Sequence, residues 1–569
     1  MKRLKGIQVA NGYAVGKAAI VSRPRLQISR KQIGPDEIEQ ELQRFQDSLD
    51  KVKAELNLLI DDYAHSRDNR DILTTHKLIL EDPEFIANIT TLIRKELLSL
   101  EQALHQHFTE VIDLFRNMEN SYYAEKSSDF EDVAYRLLSY LTNQGRDYLS
   151  GLSEGAIVIT ENVTPSGVAR FFGRGVKGIV AASGSRNSHS AIIARSMNLP
   201  FVARVANVLE TVSPGDELIL DGYRGEIILD PDEATRSEYR KLLVRETEYH
   251  EKLLSLRDKP AVTSDGHQIR LMSNIELPLE VEQVLANKSE GIGLFRTEFL
   301  FLEREELPDE NEQYEIYKKI AEQMYPEPVI IRTIDVGGDK LSRILNIEHE
   351  LNPNLGCRGI RISLGHIPIF KNQIRAILRA GVRENVKIMF PMIASCAEII
   401  QVKRIVRECV QELRDKSINC AENIKLGAMV EIPSAAINSF ALARECDFLS
   451  IGTNDLIQYT LAVDRDNQSV EKYYIPHHPA VLKLIRMSAE NAHKNGIKLA
   501  VCGEMASQSL YVPLLIGLGV DELSVSPGLL LEIKELIRSI SYTACRELAD
   551  KALELVCHDS VLEFLKKKD

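Results

Sequence analysis

The 569-residue chain lacks the marks of several large classes of protein. No run of about 18 apolar residues occurs, so no segment reads as a membrane-spanning helix. Residues 1–12 contain no apolar stretch of the secretory-signal kind, and membrane insertion is not expected. The eight cysteines all fall after residue 350, irregularly spaced and without a CxxC pair. That excludes a disulfide framework and a cysteine-based zinc site, and it fits a reducing, cytoplasmic compartment. No basic tract interleaved with aromatics is present and the net charge is −13, which argues against nucleic acid as a partner and for a basic protein surface.

What is there is globular: 44% hydrophobic and 27% charged residues, in a chain long enough for two or three units. From Ile38, the residues Leu42, Phe45, Leu49, Val52, Leu56 and Leu59 alternate spacings of four and three, the rhythm that keeps one face of a helix dry. Similar rhythms through Phe85, through Leu104 and through Phe130 predict an antiparallel helical bundle. Between Ala156 and Asp230, short β-rich runs alternate with Gly and Pro turns, as in a small α/β unit. The strand-like Lys17 to Ser22 has no sheet of its own and is expected to join that unit, leaving the bundle as an insertion. Glu233 to Leu256 reads as a helical linker ended by Lys259-Pro260. Beyond it lie eight apolar runs: Leu271–Ile275, Ile292–Phe295, Val329–Ile331, Ile388–Met392, Ala428–Val430, Phe448–Ile451, Leu499–Val501 and Leu523–Val525. Helical stretches separate most of them, which predicts a (β/α)8 barrel.

Active sites of such barrels lie at the carboxyl ends of the strands, so the residues just after each run carry the chemistry. There stand Arg296 in GLFRTE, Arg332 in IIRTID, Glu431 in MVEIPSA, Asn454 and Asp455 in SIGTNDL with Arg465 shortly after in VDRDN, and Cys502 with Glu504 in AVCGEMA. Arginines on adjacent strands supply forked donors matched to phosphate, and a rim arginine is expected to support charge rather than packing. Glu431 and Asp455 offer hard oxygens suited to Mg²⁺. Any one of these charges alone reads equally as a solvated loop residue; together they predict a site for an anion and a cation. A second centre is Gly184-Ser185-Arg186-Asn187-Ser188-His189, which leads into a helical stretch. That places His189 near a helix amino terminus, where amides and dipole favour phosphate and a neutral imidazole can act as nucleophile.

At GSRNSHSAIIARSMNLPFV, GIGLFRTEFLF, IIRTIDVGGDK, NPNLGCRGIRI, IMFPMI, SIGTNDLIQYTLAVDRDN and AVCGEMA, over essentially its full length, the chain resembles Enzyme I of the bacterial phosphoenolpyruvate-dependent sugar phosphotransferase system, the phosphoenolpyruvate-protein phosphotransferases. The resemblance implies a multidomain α/β fold. A swivelling α/β phosphohistidine domain (1–24 and 146–230) carries an inserted helical HPr-docking subdomain (25–145). A helical linker (231–260) leads to a (β/α)8 TIM barrel (261–569) that binds phosphoenolpyruvate and dimerises. It implies that His189 is phosphorylated from phosphoenolpyruvate, releasing pyruvate, and passes the group to HPr or an HPr-like carrier, the first step of sugar uptake. Mg²⁺ is then held by Glu431 and Asp455, and substrate by Arg296, Arg332, Asn454, Asp455 and Arg465, with Lys340 and Arg358 also lining the pocket. Cys502 is cast as a partly exposed thiol that protonates the enolate carbon; its residue type alone reads as a small buried apolar group.

His76 reads equally as a packing residue and as a carrier contact. The chain departs from the family pattern at Ser185 and Asn187, where a second glycine and a threonine are familiar, and at Val168, where a hydroxyl is familiar. These changes bear on phosphohistidine stability or partner choice. Dikinases of the same superfamily need a large ATP-binding domain, but the residues before the α/β unit read as helices without a Gly-rich phosphate loop. A phosphoenolpyruvate sensor without turnover would not need the full set of rim residues.

Overall fold

The computed structural model describes residues 1–21, 32–62, 76–77, 79–116, 121–142, 152–163, 165–184, 189–197, 199–301, 307–337, 350, 352–465, 467 and 469–567. The chain divides into two compact units, Met1–His250 and Glu251–Asp569. Among the described residues no helix is long and apolar enough to cross a membrane.

The first unit is built on eight strands: β1 (Lys2–Lys5), β2 (Ile7–Ala10), β3 (Tyr13–Val21), β4 (Ile157–Thr160), β5 (Gly178–Ala181), β6 (Phe201–Ala203), β7 (Glu217–Asp221) and β8 (Glu226–Leu229). Their order across the sheet is β1-β8-β7-β3-β4-β5-β6-β2. β3 to β6 run parallel, with Ala18 opposite Ile157 and Ile157 opposite Gly178, and antiparallel strands close both edges. The inner strands β4 and β5 are buried along their whole length, and all but Thr160 of their residues are apolar or glycine. β3 and β4 are paired neighbours, yet the chain between them forms helices Ile38–Asp62, Pro83–Glu96, Leu100–Arg116 and Ser121–Thr142. These helices bury their own core of Phe45, Leu49, Leu56, Ile89, Phe108 and Leu137, so the bundle is an insertion into the α/β sheet. Asp82 starts the second of them, its carboxylate accepting from the Glu84 amide at 2.7 Å ahead of Pro83. His76 is fully buried, which removes it from any carrier-facing surface.

β1, β2 and β6 have no counterpart in the sequence reading. They are three or four residues long, and β1 (KRLK) is an exposed charged edge without apolar alternation. The helix Glu233–Ser255 begins on this unit, where Tyr239 Oη donates to the buried Asp221 carboxylate at 2.8 Å.

The second unit is a closed parallel barrel of eight strands: β9 (Arg270–Ile275), β10 (Ile292–Phe295), β11 (Val329–Arg332), β12 (Val386–Phe390), β13 (Lys425–Val430), β14 (Phe448–Ile451), β15 (Leu499–Val501) and β16 (Glu522–Val525). Met272, Leu294, Ile330, Met389, Met429 and Phe448 fill its interior, and a larger apolar layer joins the strands to the surrounding helices. The apolar run Ile388–Met392 overshoots the strand: Pro391 has no N–H for the ladder, and Met392 turns to a left-handed φ of 56°.

Candidate active site

A cleft of about 1030 Å³ opens where the barrel strands end, and Arg296, Arg332, Arg358, Glu431, Asn454, Asp455, Arg465 and Cys502 all line it. They arrive there because Arg332 ends its strand, Arg296, Glu431 and Cys502 each directly follow one, and Arg358, Asn454, Asp455 and Arg465 lie on the segments beyond strand ends. Lys340 lies outside the described residues, as do Ser185 and Asn187. His189 opens the helix His189–Ser196 in the other unit, and its side chain is likewise outside the description. Val168 is fully buried in that unit's core beside Ala191 and Ala194 of the same helix.

Arg332 is buried rather than rim-like, at 8% exposure, so packing as well as charge depends on it. Its guanidinium pairs with Glu298 and with Asp335, each at 3.0 Å. Burial opposes its positive charge, but those two acids and Glu431 outweigh burial and raise its pKa. Arg296 pairs with Glu276. Among the described residues, the Nε atoms of Arg296 and Arg332 are both buried without a hydrogen-bond partner. Two buried cationic donors left open in one cleft are an anion site in waiting.

The acids are arranged for the opposite charge. One carboxylate oxygen each from Asp335, Glu431 and Asp455 lie within 4.8 Å of one another. Glu431 is completely buried: one oxygen accepts from the Met392 amide, and the other has no hydrogen-bond partner among the described residues. Its pKa is pushed up to about 8, first by burial and then by Asp335 and Asp455. Burial also acts to raise the Asp335 carboxyl, but Arg332 and Arg358 outweigh it and hold the group below the ordinary range. Hard oxygens converging on an orphaned buried carboxylate oxygen fit a divalent cation. Asp335 was not singled out from sequence. The available signal was its place three residues after Arg332, inside IIRTIDVGGDK.

Cys502 is buried at 3% exposure, which corrects the expectation of a partly exposed thiol. It packs inside the barrel, accepts from Ser450 Oγ at 3.4 Å and points its own hydrogen to the Ile451 carbonyl at 3.5 Å. Burial raises its pKa, so at neutral pH it is a thiol with a proton to give. Asn454 Nδ2 donates to Glu504 at 3.0 Å, and the Glu504 amide donates back to Asn454 Oδ1 at 3.0 Å. The Tyr474 hydroxyl donates to the Asn454 carbonyl at 3.3 Å.

Family profiles match three segments of the chain. Residues 5–126 match the N-terminal part of PEP-utilising enzymes, 152–225 their mobile domain, and 250–542 their PEP-binding domain. A protein of Priestia megaterium named phosphoenolpyruvate-protein phosphotransferase is 40% identical, with 99% of each chain covered. One of the same name from Bacillus subtilis (strain 168) is 38% identical over 100% of each chain. A solution NMR structure titled Enzyme I is 28% identical with a TM-score of 0.38, covering 43% of this chain and 99% of that one.

Proposed function

As a member of the phosphoenolpyruvate-protein phosphotransferase family of PEP-utilising enzymes, this chain transfers phosphoryl groups from phosphoenolpyruvate, and we propose that it does so through His189, passing the group on to HPr or an HPr-like carrier in the first step of sugar uptake. The observation that carries this reading is the pairing, in one barrel cleft, of unpartnered buried guanidinium nitrogens on Arg296 and Arg332 with the unpartnered buried oxygen of Glu431. An anion bearing a divalent cation satisfies both.

In this scheme Arg296, Arg332 and Arg465 take the phosphate and carboxylate oxygens of phosphoenolpyruvate, Asn454 orients it, and Arg358 and Lys340 add positive charge around it. Glu431 and Asp455 would hold Mg²⁺, with Asp335 facing them; the ion, when bound, neutralises phosphate charge and makes the phosphorus electrophilic. A ring nitrogen of His189 attacks phosphorus, and the bond from phosphorus to the enol oxygen breaks. The resulting enolate takes the Cys502 proton at its terminal carbon and leaves as pyruvate. The barrel serves as the substrate-binding and dimerising part, the α/β sheet carries the phosphohistidine, the bundle receives the carrier, and Glu233–Ser255 joins them.

The test is incubation with labelled phosphoenolpyruvate and Mg²⁺. Wild type is expected to gain acid-labile, alkali-stable label and release pyruvate, and His189→Ala is expected to do neither. Label on another residue would end this reading. Transfer from the labelled protein to candidate HPr-like proteins identifies the carrier.

A further inference from the structure

Asn454 and Glu504 come from different strands, following β14 and β15, and they meet because the two backbones approach unusually closely. Gly503 makes that approach possible: a Cβ there would lie 1.9 Å from Thr453 Oγ1 and 2.7 Å from the Thr453 amide nitrogen. The result is the reciprocal pair of 3.0 Å hydrogen bonds, Asn454 Nδ2 to the Glu504 carboxylate and the Glu504 amide to Asn454 Oδ1.

A carboxamide has a donor end and an acceptor end of nearly the same shape, so its orientation is set by its partners. Glu504 sets it without ambiguity. A backbone N–H can only donate and a carboxylate can only accept, so the flipped amide would face donor to donor and acceptor to acceptor. One hydrogen of Nδ2 is spent on Glu504, and the other has no partner among the described residues. Glu504 itself is exposed and lines the cleft, so this constraint is not a packing requirement of the barrel core.

We propose that Glu504 is a positioning residue: by holding the Asn454 carboxamide in one orientation, it keeps an N–H, rather than a carbonyl oxygen, available to the anionic substrate. The proposal rests on the reading of Asn454 as a phosphoenolpyruvate-binding residue. It also opposes a simpler view, in which an acidic side chain in an anion site merely repels the substrate.

Four variants, Glu504→Ala, Glu504→Gln, Asn454→Ala and the double Asn454→Ala/Glu504→Ala, separate these views by KM for phosphoenolpyruvate and kcat for pyruvate release. Glu504→Ala is expected to raise KM roughly three- to tenfold with kcat within about twofold of wild type, the size of one lost hydrogen bond. Glu504→Gln keeps an acceptor and loses the charge, and is expected to stay within about twofold of wild type. The double variant is expected to be no worse than Asn454→Ala alone, since a positioning residue has nothing left to position. Lowered KM in both Glu504 variants, or an additive double variant, overturns the proposal while Asn454 keeps its role. An unchanged KM in Asn454→Ala overturns the reading of Asn454, and the proposal falls with it.

Discussion

Arg358 and Asp335 form a buried fork-to-fork pair, with Nε to Oδ1 at 3.2 Å and Nη2 to Oδ2 at 3.0 Å. The remaining guanidinium nitrogen of Arg358 reaches Asp455 at 3.3 Å, while the other buried arginine, Arg332, pairs with the same Asp335 at 3.0 Å. One carboxylate thus holds two buried cations at the mouth of the barrel.

Replacing Asp335 by Asn leaves both guanidinium groups buried with one acid fewer. Breaking a buried pair by removing one partner costs about 3–5 kcal/mol, and the low end applies because Glu298 and Asp455 remain. The expected outcome is a barrel melting transition lowered by roughly 5–10 °C, read by calorimetry. An unchanged transition would mean the pair contributes nothing to stability.

Arg332→Ala is expected to lose labelling from phosphoenolpyruvate by at least about 10²-fold, the scale of removing one preorganised charge from a transition state. Because Arg332 is buried against Glu298 and Asp335, the variant should also melt earlier than wild type. Labelling and circular dichroism on the same samples check both, and full labelling would remove Arg332 from the clamp.

Cys502→Ala deletes a small side chain from the barrel interior and, in the proposed mechanism, the proton for the enolate carbon. Pyruvate release is expected to slow by about 10²–10⁴-fold, the usual worth of a positioned general acid. The melting temperature should move only slightly. Unimpaired release would assign the proton to another group or to water.

A pH effect is expected at His477, which is not among the residues lining the cleft. Its ring is buried, with Nδ1 2.9 Å from the Tyr511 hydroxyl, and it faces His478, His558, Asp559 and Lys566. Burial lowers its pKa, and His558, His478 and Lys566 lower it further while Asp559 opposes them. A depressed histidine favours the folded state fully above its unfolded pKa of about 6.5, and that contribution is lost as pH falls through the folded value. The His477 contribution to melting temperature should therefore be flat above about pH 7 and decline on acidification. His477→Asn should shallow that decline below about pH 7; an unchanged slope assigns the acid sensitivity elsewhere.

The barrel was legible because its eight strands are buried on both sides and so read as short apolar runs. The rule that chemistry follows the strand ends then located Arg296, Arg332, Glu431, Asn454, Asp455 and Cys502 together. The inserted bundle was legible from the regular spacing of Leu42, Phe45, Leu49 and Val52. What escaped lacks periodicity: the charged edge strand Lys2–Lys5, the three-residue Phe201–Ala203, and Asp335. The partners of Asp335 include Arg358, 23 positions away and on a different loop. The burial of Cys502 was what its residue type implied, and only the role taken from the resemblance pointed the other way; the burial of His76 escaped because histidine is not characteristically buried or exposed.

The sequence by itself determined the periodic helices of the bundle, the alternation of strand and helix in the barrel, and which residue types stand at its mouth. Those features follow from local rules, namely side-chain period, chain stiffness and the turn residues between runs. Only the tertiary structure decided that Arg332 is buried between Glu298 and Asp335, that three carboxylates converge, and that Glu504 holds the Asn454 amide in one sense. Such contacts depend on barrel closure, which brings side chains from distant segments together, and no local pattern encodes that approach.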